Sequence, residues 1–465
     1  MRLRLAPVVL LLAACDPGVP AAVPAPPPPT PRGPNVLVWM VDTLRADRLG
    51  CYGAERATSP HYDALAARGV LFEQAFAASN WTQPSVLSLL SGTWPLPFPD
   101  DFSGSVPGEL VMGSEWFWGH GWCTAGFTVT AAVAGLFGFD QGFETWVELD
   151  EGLDAMARKR RAGQRFSAAR LVDAALAWLD SGRDPRKPFF LYLHGVEPHM
   201  PYEAHAEGGF SDEVQVGALD GSIEALQRLQ SEGREADEAE RRFLRDRYDG
   251  EVLESDRHFG ALVEGLRARG LLQDTLLVLV ADHGDEHWEH GHFGHGHRNL
   301  HRELLHVPVV LGWPGGLPAG VRVGGPLRAI DLMPTLAELC GLPPLPGAEG
   351  ASVAAVTRAG GTLPDVPNFA DRASEDEDLR AVRTSRWLFT LGPRPQDTAL
   401  YDLAADPDAT RDVLGERRDE ARSLLQLLAD WSRAQRERRA ALGERGTAQP
   451  GEAQREALRA LGYVK

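Results

Sequence analysis

NVLVWMVD, Asn35–Asp42, is an unbroken apolar run that stops at an acid. A strand with one face in water alternates apolar and polar residues; a run that is apolar at every position is buried on both faces, as in a parallel sheet. Two later stretches repeat the pattern, KPFFLYLHGVEPH (Lys187–His199) and DTLLVLVADHGDEH (Asp274–His287), the latter apolar from Leu276 to Ala281 and then Asp282. Between them lie helical patterns at Pro60–Gly69, Arg165–Ser181 and Tyr248–Gly270. Strands alternating with helices predict an α/β fold whose sheet is covered on both faces, and in such sheets function gathers at the carboxyl ends of the strands. All three strands carry Asp or His there.

The rest of the chain frames this core. A net charge of −18 over 465 residues excludes a nucleic-acid backbone as a natural partner. The basic run RKRRAGQR, Arg158–Arg165, is short enough to be a solvated loop or helix start. MRLRLAPVVLLLAAC has a basic start, an apolar run too short to span a bilayer and small residues before Cys15. Leu12–Cys15 resembles a bacterial lipobox, which predicts cleavage before Cys15, lipid on its sulfur and an extracytoplasmic, membrane-attached protein. Residues 16–34, Pro-rich, read as a tether; 35–360 read as the catalytic domain and 361–465 as a smaller subdomain. In the latter, LRAVRTSRWLFTL reads as strands of a second sheet and the last 55 residues as helices. Cys51, Cys123 and Cys340 are too few for a disulfide framework, leaving one bridge or free thiols.

The chemistry-bearing residues sit at the strand ends. Asp42, Asp282 and His283 offer carboxylate oxygens and an imidazole nitrogen, donors for a divalent cation, although a single Asp after a strand also serves as a helix cap. Eight of the fourteen histidines fall between His283 and His306, an unusual density for a loop. His194, Glu197 and His199 follow the second strand; a histidine there can donate to a substrate oxygen or protonate a leaving group. In NWTQPSVLSLLSG, Asn80–Gly92, Thr82 stands at a predicted helix start. Alone it is an ordinary cap; beside a cation its hydroxyl becomes a candidate nucleophile.

These motifs, with TSPHYDALAARGVLFEQAF (Thr58–Phe76), HVPVVLGWPG (His306–Gly315), AIDLMPTLAELCGL (Ala329–Leu342), LYDLAADPDATRDV (Leu400–Val413) and LRALGYV (Leu458–Val464), resemble the sulfatase family of the alkaline-phosphatase superfamily, in order from Asn35 to the C-terminus. The resemblance implies an α/β/α sandwich with a large, mostly parallel sheet and a smaller C-terminal antiparallel sheet. It places Asp42, Asp282, His283 and Thr82 on the ligands of one divalent ion (Ca²⁺, Mg²⁺, Mn²⁺ or Zn²⁺), Thr82 on the nucleophile position, and His199 and His295 against the substrate. The implied partner is an anionic ester, a sulfated or phosphorylated glycan, lipid or small molecule.

Three departures qualify the match. The family's nucleophile motif is Cys or Ser, any residue, Pro, Ser, Arg, with the first residue oxidised to formylglycine; here it reads Thr82-Gln83-Pro84-Ser85-Val86. The Asp-Asp pair that often ends the first strand is Asp42-Thr43, and the loop Thr93–Trp116 has no clear counterpart. Thr at the nucleophile position resembles phosphoethanolamine and phosphoglycerol transferases and nucleotide phosphodiesterases of the same superfamily. The expected activity is therefore metal-dependent hydrolysis of sulfuric or phosphoric esters. Phosphoryl transfer to envelope glycans or lipids and a non-catalytic, glycan-binding protein are the alternatives, and a second metal held by His199, Glu197, His295 and His297 stays open.

Overall fold

A computed structural model describes residues 33–149, 168–205, 209–211, 215–297, 299–373, 379–442 and 446–460. The lipobox-like stretch with Cys15, most of the tether and the basic run Arg158–Arg165 lie outside the described residues.

The three apolar runs are strands at the centre of a nine-stranded sheet: β1 (Asn35–Val41), β5 (Phe189–Gly195) and β6 (Thr275–Ala281). β1 pairs in parallel with both neighbours, Val38 lying opposite Tyr192 on one side and Val278 on the other. Every residue of the three strands is buried, as continuous apolarity demands. β3 (Cys123–Thr128) and β4 (Thr145–Glu148) extend the sheet beyond β5. On the other side come β9 (His306–Gly312), β2 (Val70–Phe76), β10 (Val321–Arg328) and the two-residue β11 (Gly361–Thr362). Only β9 runs antiparallel, to both β6 and β2. The carboxyl ends of β1, β2, β5 and β6 therefore share one edge with the amino end of β9.

Helices cover both faces. On one, Pro60–Ala67 and Ala168–Ser181 pack against the 31-residue helix Glu238–Ala268. Fully buried Trp39 reaches this layer, its ring 5.9 Å from Phe259 and its indole N–H donating to Tyr62 Oη at 3.0 Å. On the other face lie Thr82–Ser91, Gly113–Gly119 and Leu332–Leu339. The long helix begins ten residues before the predicted Tyr248. Asp237 accepts from the amide of Glu240 while Glu240 accepts from that of Asp237, a reciprocal cap that starts the helix within a stretch too charged to show apolar periodicity.

The smaller sheet is antiparallel: β12 (Asn368–Asp371), β13 (Arg380–Arg383), β14 (Trp387–Leu391) and β15 (Ala399–Asp402), with the helix Arg418–Ala441 packed on β13 and β14. The predicted fold class holds. Cys51, Cys123 and Cys340 are free thiols. Among the described residues no helix is long and apolar enough to cross a membrane.

Candidate active site

Asp42 and Asp282 are the residues next after β1 and β6, so pairing of these strands sets the two carboxylates side by side. Thr82 follows β2 after five residues and opens the helix Thr82–Ser91 as its first residue, after an extended Trp81. Asp42, Thr82, Asp282 and His283 are all 0 % exposed, so any charge there has to be matched inside the protein.

His283 Nε2 lies 3.7 Å from Asp42 Oδ1, 3.5 Å from Asp282 Oδ2 and 3.4 Å from Thr82 Oγ1. Its Nδ1–H donates to the Gly284 carbonyl at 2.9 Å, so in the neutral ring Nε2 is a bare lone pair. One oxygen of Asp282 is committed, since Oδ1 accepts from the amides of Thr43 at 3.2 Å and of His283 at 2.8 Å. The other, Oδ2, is buried and accepts no hydrogen bond. Thr43 makes this possible by taking the left-handed conformation, φ 57°, which a β-branched residue adopts only under constraint. The Tyr248 hydroxyl holds the bend by donating to the Thr43 carbonyl at 2.7 Å.

Two carboxylates, a bare imidazole nitrogen and a hydroxyl converging in a dry pocket repel one another unless a cation lies between them. The ligand atoms of Asp42, Asp282 and His283 fall within 4.8 Å of one another, and the donor set, oxygen with one nitrogen, suits a divalent ion. Burial pushes the Asp282 carboxyl up from its usual range, the penalty that a cation would cancel. The residues fit the metal that the sequence implies.

His295 and His199 line up beyond His283, with ring centroids 4.5 Å from His283 to His295 and 4.8 Å from His295 to His199. His199 Nδ1–H donates to the Met200 carbonyl at 2.6 Å. Burial, then His295, drives His199 down to about 3; burial, then His283, holds His295 well below the ordinary imidazole value. Both rings are neutral until an anion arrives.

Sequence reasoning missed Asp285. Its Oδ1 lies 2.8 Å from His295 Nδ1, and its Oδ2 accepts from the Tyr202 hydroxyl at 2.6 Å, with both residues almost fully buried. It thereby selects the tautomer of His295 and aims the ring, as such carboxylates do for a catalytic histidine. Asn80 was also missed. Its side-chain amide donates to the carbonyls of His297 at 2.7 Å and Asn299 at 2.8 Å, tying the turn before Thr82 to the histidine-rich loop. The only signal for either was adjacency to a motif.

Other candidates go elsewhere. Glu197 accepts from the Ala168 amide at 3.0 Å, and burial together with Glu251 raises its carboxyl to about 7. His297 Nε2 lies against the Gly294 carbonyl and Glu286. Among the described residues, Glu197, His199, His295 and His297 form no common ligand cluster. His194 is a core residue beside the site, its Nδ1 2.9 Å from the Tyr192 hydroxyl. His290 holds Glu303 and the carbonyls of Asp408 and Ala409, and Arg45 ties the Asp285 carbonyl to Asp47 and Glu289.

A hydroxyl at a helix start, beside a buried trio suited to a cation at the carboxyl edge of an α/β sheet, is an arrangement that fits a metal-assisted ester hydrolase. Residues 34–342 match the sulfatase family model, and the chain belongs to that family, whose members act on sulfuric or phosphoric esters and use a divalent metal. It is 24% identical over 420 residues to the ulvan-active sulfatase of Formosa agariphila, covering 83% of this chain and 78% of that protein. Its fold matches the phosphonate monoester hydrolase of Agrobacterium radiobacter, with a TM-score of 0.67, 22% identity and coverage of 86% and 96%. It also matches a protein solved with its substrate D-glucosamine-2-N,6-O-disulfate, with a TM-score of 0.68, 19% identity and coverage of 86% and 98%.

Proposed function

We propose that the chain hydrolyses phosphoric esters in preference to matched sulfates, with unmodified Thr82 as nucleophile. The observation that carries this reading is the approach of Thr82 Oγ1 to His283 Nε2, at the point where Asp42 and Asp282 converge.

A divalent ion held by Asp42, Asp282, His283 and Thr82 would lower the pKa of the hydroxyl and neutralise substrate oxygens. The helix Thr82–Ser91 adds its N-terminal field, which favours negative charge at Oγ1. Thr82 Oγ1, its proton released to solvent, forms a bond to phosphorus as the bond to the leaving oxygen breaks. His199 and His295 each turn Nδ1 toward a neighbouring acceptor, so Nε2 is the atom that takes up or returns a proton. An arriving anion raises both imidazoles, and Asp285 stabilises the imidazolium at His295, which gives its Nε2 proton to the leaving oxygen. Water then attacks phosphorus, the bond to Oγ1 breaks, and its proton returns to the freed imidazole.

The preference follows from the side chain. A hydrated aldehyde can expel sulfate by breaking its own carbon–oxygen bond, but threonine carries a methyl group on that carbon and cannot be oxidised to an aldehyde. A threonine ester must be attacked at sulfur or phosphorus, a step better precedented for phosphorus in the Thr-bearing relatives. Val86, buried where the motif has Arg, takes a fixed cation away from the site. The test is a panel of aryl sulfates, phosphate monoesters, diesters and phosphonates with Mg²⁺, Ca²⁺, Mn²⁺ or Zn²⁺ added. Faster turnover of a phosphorus ester than of its sulfate supports the reading; efficient sulfate turnover with none on phosphorus overturns it.

The extracytoplasmic location is part of the same proposal and rests on Leu12–Cys15. Changing Cys15 to Ser should release the protein from membranes or block its processing. A mature N-terminus well beyond Cys15, without lipid, would contradict it.

A further inference from the structure

At the carboxyl edge of the large sheet, where the small sheet packs against it, a cavity of about 240 Å³ is lined by Phe76, Arg302, His306, Arg383 and Ser385, among others. Arg383 comes from β13 and lays its guanidinium over the Phe76 ring, 4.3 Å from the centroid. Arg302 comes from the turn before β9, and its Nε donates to His306 Nδ1 at 3.4 Å. His306 Nε2 donates in turn to the Glu73 carbonyl at 3.0 Å.

Neither guanidinium has a carboxylate partner among the described residues, although acidic groups outnumber basic ones by 65 to 47 in the chain. Glu73, the carboxylate residue of the cavity lining, is taken by Arg322 at 2.8 Å; Glu303 and Asp47, which line a neighbouring cavity with Arg302 and His306, are taken by His290 at 2.7 Å and Arg45 at 2.8 Å. Burial, then repulsion from Arg302, lowers Arg383 to about 10; the Phe76 ring offsets part of this, and no carboxylate among the described residues does. Two planar forks and one cavity suit a ligand with several charged oxygens, because guanidinium donates in pairs to such groups.

We propose that Arg302 and Arg383 form a second anion site, separate from the catalytic centre, for a tetrahedral oxyanion: sulfate or phosphate, free in solution or carried as an ester group on a larger substrate. The two sites share an edge of the sheet. Phe76 ends the strand that leads to Thr82, and His306 begins the strand beside β6, after which Asp282 follows directly. With strands about 4.8 Å apart, β9 and β2, which carry His306 and Phe76, lie about 10 and about 14 Å from the strand of Asp42. The site does not depend on which ester the catalytic centre hydrolyses.

The test titrates the full chain, by calorimetry and thermal shift at constant ionic strength, with sodium sulfate, sodium phosphate and a disulfated disaccharide, using chloride as control. Saturable oxyanion binding should survive Asp282→Ala, which disables the catalytic centre, and weaken about tenfold or more in Arg302→Gln and in Arg383→Gln. Arg302 is exposed, so its variant keeps the test meaningful if Arg383→Gln fails to fold. If the disaccharide binds at least tenfold tighter than free sulfate, and the excess disappears in either the arginine or the Asp282 variant, the group is carried on the substrate; equal affinities assign the site to the free ion. Binding that is the same in parent and arginine variants, or no saturable binding in the parent, overturns the proposal.

Discussion

Replacing Asp285 with Asn keeps the shape of the side chain and removes its charge. In the parent, Asp285 Oδ1 receives the His295 Nδ1 proton at 2.8 Å, and Oδ2 receives the Tyr202 hydroxyl at 2.6 Å. In the variant the amide oxygen can still accept from one partner, while its NH₂ faces the other. If the NH₂ faces His295, the ring must move its proton to Nε2; if the oxygen does, the imidazolium loses its counter-charge. A hydrogen bond to a charged group contributes about 1.5–3 kcal/mol, and about 1.4 kcal/mol is tenfold in rate, so kcat should fall roughly 10- to 150-fold. The loss should grow as the leaving group worsens, because the charge on His295 matters most when it must supply a proton. The assay is kcat and kcat/KM against pH for aryl phosphates with good and poor leaving groups, with metal content and melting temperature measured in parallel. A variant that retains metal and fold and stays within about twofold of the parent for the poorest leaving group would refute the role given to both residues.

Three further outcomes follow from the geometry. Asp282→Ala should abolish the tightly held divalent ion, about one per chain in the parent by elemental analysis, while circular dichroism shows the fold retained; metal retained at parental stoichiometry contradicts the ligand assignment. His290 resists the downward pull of burial and is raised to about 9 by Glu303, by the carbonyl of Ala409 and by the charge of Glu286. Its folded value exceeds the unfolded one, so its stabilisation is complete below about pH 6.5 and lost as pH rises through about 9; His290→Gln should cost about 1 kcal/mol more at pH 6 than at pH 10 after allowance for solvent screening, and denaturant midpoints that shift equally at both pH values argue against this. Asn80→Ala leaves the carbonyls of His297 and Asn299 without their donor and should cost about 1–3 kcal/mol of stability, read from urea unfolding; a midpoint unchanged from the parent removes Asn80 as the tie between the two loops.

The core of the fold was legible because burial on both faces constrains composition: Val36–Val41 and Leu276–Ala281 are short, apolar at every position and followed by an acid, as central strands are. The same runs end at Asp42 and Asp282, so the candidate ligands Asp42, Asp282 and His283 were legible from position, and Thr82 from the helix start after Trp81; the structure brings these four side chains together. What stayed hidden depends on contacts between distant segments. Asp285 looks like one more acid in a charged loop until Tyr202, 83 residues away, and His295 close on it. Glu197 sits two residues from His199 yet faces the helix Ala168–Ser181, because the chain turns after Gly195. The left-handed bend at Thr43 leaves no trace in composition; it is imposed by Tyr248 and Asp282 from 205 and 239 residues away.

The central claim is that Thr82, unmodified, takes the phosphoryl group from the substrate. The most direct measurement is rapid acid quench of the metal-loaded enzyme during turnover of a phosphate ester, followed by mass spectrometry of the peptide that contains Trp81–Ser85. The account predicts plain threonine in the resting enzyme, whatever maturation enzyme is co-expressed, a phosphoester on Thr82 in the quenched sample, and neither adduct nor activity in Thr82→Ala. An active Thr82→Ala variant, or an adduct on another residue, would contradict it.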